Sequence, residues 1–141
     1  MTERPTWDEY FIGMAQAART RADCTRAQVG AVVVHPIGGI PMLIRAGYNG
    51  PPPGVPGCES AGACPRGRLS VAECARDSDY SNCIADHAER NALRWTPVDQ
   101  RAGSTLYVTR APCPSCRTLI AANGLQRVVW PSGEWLPPPL S

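Results

Sequence analysis

Two short pieces constrain this chain more than anything else in its sequence. They are His87-Ala88-Glu89 and Pro112-Cys113-Pro114-Ser115-Cys116, with the first Cys 26 residues after the His. Each reads as a helix start, and one strand, Ser104-Thr105-Leu106-Tyr107-Val108-Thr109, lies between them. A Cys-x-x-Cys turn at a helix start brings both sulfurs to one side, where the positive end of the helix lowers their pKa toward thiolate. One imidazole and two thiolates make three zinc ligands and leave a fourth tetrahedral position for water. Each piece alone is a weak signal, because H-x-E is frequent by chance and a lone C-x-x-C also serves structural zinc half-sites and redox pairs. Together, in this order, they ask the fold to bring two helix starts to one point.

The flanking sequence supplies the elements for that. Thr6 and Glu9 form a capping box that opens a helix to about Arg19, with Phe11, Met14, Ala15 and Ala18 on one face. Val29-Gly30-Ala31-Val32-Val33-Val34 reads as a buried strand. His35-Pro36-Ile37-Gly38-Gly39 turns the chain, and residues 42–48 return as the second strand of a hairpin. Residues 84–95 are helical in pattern, with Ala85, Ala88, Ala92 and Leu93 available for packing, and 116–123 form a helix closed by Gly124. Gln126 to Trp130 is the last strand expected. Strands alternating with helices late in the chain imply right-handed crossovers and parallel pairing. The expectation is one α/β domain over 1–141, with a mixed sheet, an N-terminal hairpin and parallel later strands. The Pro-rich tail at 131–141, with Pro137-Pro138-Pro139, is expected to hold no regular structure.

Charge and cysteine usage narrow the partners. A net charge of +2 is far from the basic balance of a protein whose main partner is nucleic acid. All 14 basic residues are Arg, so a phosphate held by a basic side chain would be held by Arg, which can bind it bidentately. No apolar run of about 18 residues exists, so no membrane span is expected. The charged N-terminal residues lack the apolar stretch of a signal peptide, which points to the cytoplasm. Seven cysteines, an odd number, then point to metal or catalysis rather than disulfides. Four of them, Cys58, Cys64, Cys74 and Cys83, fall in an insertion at about 50–83 with little apolar periodicity, a length uncommon for a structureless loop. Such a segment is either disordered or tied down by something other than a core.

The order H-x-E then P-C-x-x-C matches the signature of zinc-dependent nucleobase deaminases. Four further motifs accompany it: Cys24-Thr25-Arg26 before Val29-Gly30-Ala31, Gly47-Tyr48-Asn49-Gly50, His87-Ala88-Glu89-Arg90-Asn91-Ala92, and Leu106-Tyr107-Val108-Thr109. As a set, over about residues 6–130, they resemble the deoxycytidylate (dCMP) deaminase family. The Cys-rich insertion favours that family over tRNA adenosine deaminases, whose corresponding loop is short. The resemblance implies a three-layer α/β/α cytidine-deaminase-like fold, a homo-oligomer, and hydrolysis of a small nucleotide, dCMP, to dUMP. It implies catalytic zinc on His87, Cys113 and Cys116, with Glu89 moving protons between water, ring nitrogen and departing ammonia. Asn49 matches a nucleoside contact, though a turn residue before Gly50 fits it equally. Ala88 would offer backbone groups to the base, and Arg26 and Arg110 are candidates for the 5′-phosphate, with a solvated surface role as the alternative for each.

Some family members hold a second, structural zinc. Cys24, Cys58, Cys64 and Cys83 occupy such places, and four thiolates would close a tetrahedral site, leaving Cys74 spare. Buried free thiols are the competing reading. Three functional alternatives also stand: a deaminase of a nucleic-acid base, a deaminase of another small nucleobase or nucleoside, and a zinc-stabilised module without catalysis. The low net charge argues against the first, and the intact Glu89 against the last.

Overall fold

A computed structural model describes residues 3–22, 27–50 and 87–139. Cys24, Arg26, Cys58, Cys64, Cys74, Cys83 and the start of the helix expected at 84 lie outside the described residues, as does the insertion beyond Gly50.

Helix α1 (Trp7–Arg19) begins at the capping box. Glu9 N–H donates to Thr6 Oγ1 at 3.1 Å, and Thr6 N–H donates to Glu9 Oε1 at 3.0 Å. Phe11 and Ala15 are buried, with Met14 and Ala18 half-buried beside them. Strands β1 (Gly30–Ile37) and β2 (Ile40–Tyr48) form the antiparallel hairpin. Helix α2 (Ala88–Arg94), strand β3 (Thr105–Val108), helix α3 (Pro114–Ala122) and strand β4 (Arg127–Trp130) follow, and strand β5 (Gly133–Trp135) closes the order. The sheet runs β2-β1-β3-β4-β5. β3 and β4, joined through α3, are its parallel pair, and the other neighbours are antiparallel.

The pleat sorts the core into two. Val32 and Val34 of β1, Tyr107 and Val129 meet Phe11 and Ala15 of α1. Ala31 and Val33, one residue out of phase, join Leu106, Val108 and Val128 against Ala88, Ala92 and Leu93 of α2 and Cys116 and Ile120 of α3. The sheet therefore has α1 on one side and α2 with α3 on the other, the three layers expected. Two glycines let the helices lie flush on it. A Cβ on Gly30 would run into the Ala15 carbonyl and Arg19 backbone of α1. On Gly47, one would stand 2.5 Å from Ala92 N and 2.7 Å from the Ala88 carbonyl oxygen of α2. On the α1 side, a polar cluster joins Asp8 to Arg127, Tyr107 and Glu134 across three strands.

Three expectations are corrected. β1 continues through His35-Pro36 to Ile37, so the turn is only Gly38-Gly39, with φ of 62° and 79°, as a two-residue hairpin turn requires. Pro36 is tolerated because β3 pairs with β1 only as far as Val34, leaving that side of the strand free. His35 is held in line by its Nδ1, 2.8 Å from Ser104 Oγ. Second, the segment after Pro131 is not wholly irregular, since Gly133–Trp135 returns antiparallel to β4 before the prolines begin. Third, His87 is the extended N-cap of α2 rather than part of it, and α3 starts at Pro114 instead of Cys116. Among the described residues, no helix is long and apolar enough to cross a membrane.

Candidate metal centre

Helices α2 and α3 begin at the same place, and each places a metal-ligating residue at its N-cap. His87 caps α2 with φ −73° and ψ 151°, and Cys113 caps α3 with φ −73° and ψ 165°, followed by Pro114 at a first-turn position that needs no N–H. Neither side chain makes the usual cap hydrogen bond, although Cys113 Sγ lies 3.3 Å from the Ser115 hydroxyl in the first turn of α3. Ser, Thr, Asp or Asn at a cap stabilises a helix by about 1 kcal/mol. Both helices forgo that, and their cap side chains point instead at each other. His87 Nδ1 lies 3.1 Å from Cys116 Sγ and 3.5 Å from Cys113 Sγ. All three ligand atoms fall within 4.8 Å of one another. Cys116 is fully buried, whereas His87 and Cys113 are half-buried, so the cluster has one open side.

The electrostatics of this cluster ask for a cation. Burial first, then the negative charges of Glu89 and Cys113, push the Cys116 thiol far above the ordinary thiol range. Burial also works to raise Cys113, but the Ser115 hydroxyl, 3.3 Å from its sulfur, and hydrogen bonds from Cys116 outweigh that and bring it below the usual value. Glu89, in the first turn of α2, is only 5% exposed and sits close enough to both thiols for its charge to act on them. Two sulfurs and a carboxylate in a half-dry corner repel as anions. A dication between the sulfurs and His87 reverses that balance, and one imidazole with two thiolates is a donor set suited to zinc. The residues present fit the metal.

The other expected site residues are placed less uniformly. Asn49 is buried, and its side chain is engaged with the backbone leading into β1: Oδ1 accepts from Val29 N–H at 2.8 Å, and Nδ2 donates to the Ala27 carbonyl at 2.7 Å. Ala88 is fully buried at the start of α2. Arg110 is exposed just past β3. Arg26 and the four cysteines of the expected second zinc lie outside the described residues. Asn91 went unassigned in the sequence. Its Nδ2 donates to the Tyr48 and Gly50 carbonyls at 2.8 and 3.2 Å, tying α2 to the Gly-Tyr-Asn-Gly segment. Its place within the His-Ala-Glu-Arg-Asn-Ala motif was the one signal available.

Comparison with known proteins agrees with this geometry. Residues 5–132 match the family model described as the cytidine and deoxycytidylate deaminase zinc-binding region. A deoxycytidylate deaminase of Mycobacterium phage D29 is 51% identical over 133 residues, covering 91% of this chain and 96% of the relative. One from Schizosaccharomyces pombe is 37% identical over 90% of this chain, which spans 37% of that longer protein. Among solved structures, a dCMP deaminase from cyanophage S-TIM5 in complex with dCMP and dUMP is similar with a TM-score of 0.60 and 27% identity, over 90% of this chain and 82% of that one.

Proposed function

The chain belongs to the cytidine and deoxycytidylate deaminase family, and from that premise we propose that it hydrolyses dCMP to dUMP and ammonia. The observation that carries this reading is the meeting of His87, Cys113 and Cys116 at two helix starts with a buried Glu89 against them. The phage relative, matched along almost its whole length, supports the choice of substrate.

When held by His87, Cys113 and Cys116, zinc supplies the Lewis acidity that makes water a nucleophile near neutral pH. Glu89 takes a proton from the attacking water and passes it to the ring nitrogen of the cytosine. It then takes the remaining proton from the new hydroxyl and delivers it to the amine, which departs as ammonia while the carbonyl forms. Its burial keeps it from being diluted by bulk solvent, and its position two residues past His87 fixes it to the same turn as a ligand. Asn49 and the backbone at Ala88 orient the nucleoside, while Arg26 and Arg110 receive the 5′-phosphate. The protein works as a single domain, a cytoplasmic homo-oligomer with no nucleic-acid partner. Cys24, Cys58, Cys64 and Cys83 hold a second, structural zinc.

Ammonia release from a panel of dCMP, CMP, deoxycytidine, cytosine, guanine and a tRNA anticodon loop tests the substrate. The expected order puts dCMP first, and preference for deoxycytidine over dCMP would overturn the phosphate contacts. Metal analysis of the purified protein tests the second site, with two zinc ions per chain expected and one ruling it out.

A further inference from the structure

Arg117 directly follows the second thiol of the metal centre, and its hydrogen bonds run back toward the ligand loop. Its backbone N–H donates to the Cys113 carbonyl at 2.9 Å, and its Nε donates to the Pro112 carbonyl at 3.2 Å. One residue thus grips two consecutive carbonyls on either side of a zinc ligand's Cα. Cys113 is flanked by Pro112 and Pro114, whose rings already fix φ at both neighbours. The rotation left to swing Cys113 as a unit is about Pro112 ψ, and that rotation turns the carbonyl Arg117 holds.

The guanidinium is itself braced. Its central carbon lies 5.1 Å from the centroid of the Trp135 ring. Trp135 ends β5 and packs half-buried on the same apolar cluster as Cys113 and Leu119. A guanidinium stacked on an indole face keeps its planar fork in one orientation, which an ammonium on a flexible stem cannot do.

We propose that Arg117, braced by Trp135, is a positioning residue of the metal centre, locking the Pro112–Cys113 peptide and so the direction from which Cys113 Sγ faces His87 and Cys116. The proposal rests on the zinc reading given above and extends it to the C-terminal strand. Contacts that orient metal ligands from behind typically alter metal affinity by about 10- to 100-fold when removed.

The test uses the full chain loaded with metal. Zinc release to a chromogenic chelator is timed well below the unfolding temperature, and the cobalt-substituted protein is examined for its thiolate-to-metal charge-transfer band. Arg117→Ala is expected to release zinc about tenfold faster and to weaken or shift the cobalt band. Arg117→Lys should behave like the alanine variant, because one point donor cannot lie over the ring and reach Pro112 together. Trp135→Phe should stay near wild type and Trp135→Leu should release zinc severalfold faster, which keeps the question answerable if Arg117→Ala does not fold. Wild-type release rates and an unchanged cobalt band in Arg117→Ala and Trp135→Leu overturn the proposal, even if their unfolding temperatures fall. Absence of the charge-transfer band in the wild-type chain would instead overturn the zinc reading beneath it.

Discussion

Each side of the sheet carries a polar cluster built at a helix start, and the two are completed in opposite ways. On the α1 side, Arg127 donates to both oxygens of Asp8, at 2.9 and 2.8 Å, while Tyr107 donates to the same carboxylate at 2.8 Å. The Nε of Arg127 reaches Glu134 at 2.6 Å. The Arg127 bonds hold the Asp8 carboxyl below its ordinary range, and Asp8, then Glu134, hold Arg127 above its own. Burial, then the bond to Asp8, pushes the Tyr107 hydroxyl well up, so it stays a donor. Every charge there is answered from within the chain. On the α2–α3 side, what acts on Cys116 is burial and like charge. A cluster closed by its own counter-charges ties elements together, whereas one left short of positive charge is built to receive it.

The sharpest way to break this contrast is at Glu89. Glu89→Gln keeps the shape and the ligands but removes the proton carrier, so turnover should fall by about 10²- to 10⁴-fold with zinc content unchanged. Ammonia release alongside metal analysis checks it, and retained activity would mean that Glu89 is not the proton carrier. Metal removal comes next. Stripping zinc should abolish turnover reversibly and lower unfolding free energy by about 2.7 kcal/mol relative to protein in zinc at 100 times its dissociation constant, read by denaturant titration. No loss of stability would show that the cluster, like its counterpart, is complete by itself.

Gly47→Ala probes what holds the open cluster in place. The new methyl would strike the α2 backbone, with an expected cost of about 1–3 kcal/mol and a fall in activity, since α2 carries His87 and Glu89. The smallest effect belongs to the closed cluster. Asp8→Asn should cost on the order of 1 kcal/mol, because the pair is bidentate yet its side chains are 32% and 39% exposed, and kcat should be unchanged. The sign of its pH dependence follows from a depressed carboxyl. The stability it contributes is present above its unfolded value, about pH 4, and is lost as pH falls through the lower folded value. The gap between wild type and Asp8→Asn in denaturant midpoints should therefore narrow on acidification below about pH 4.

Features that depend on neighbours in sequence were legible, and features that depend on partners far away were not. The Thr6–Glu9 capping box and the two ligand-bearing helix starts are written within a few residues. The capping box stands where the spacing put it, and the two helices begin within a few residues of the starts expected, with His87 and Cys113 as their N-caps. β5 was obscured because three residues carry no periodicity, and the prolines just after them dominate the local signal; what makes it a strand is pairing with β4. His35-Pro36 reads as a turn until one sees that β3 stops at Val34. The Asp8–Arg127 pair joins residues 119 apart, and nothing near either announces the other. Asn49 was legible as polar and placed, but its bonds to Ala27 and Val29 come only with the fold. The contacts of Arg117 with Pro112 and Trp135 likewise require β5 to exist first.

Gly30 and Gly47 sit diagonally across the β1–β2 pair and are bare on opposite faces. At that spot helix, strand and helix touch backbone to backbone, with no rotamer in between to take up slack. α1 and α2 are in effect riveted through the sheet. A loosening of one should be felt by the other, and neither can be re-spaced by trading one side chain for another. Retuning of the metal centre, by evolution or by design, enters more readily from the opposite end of the sheet, where Arg117 and Trp135 meet behind Cys113 through side chains that can be exchanged.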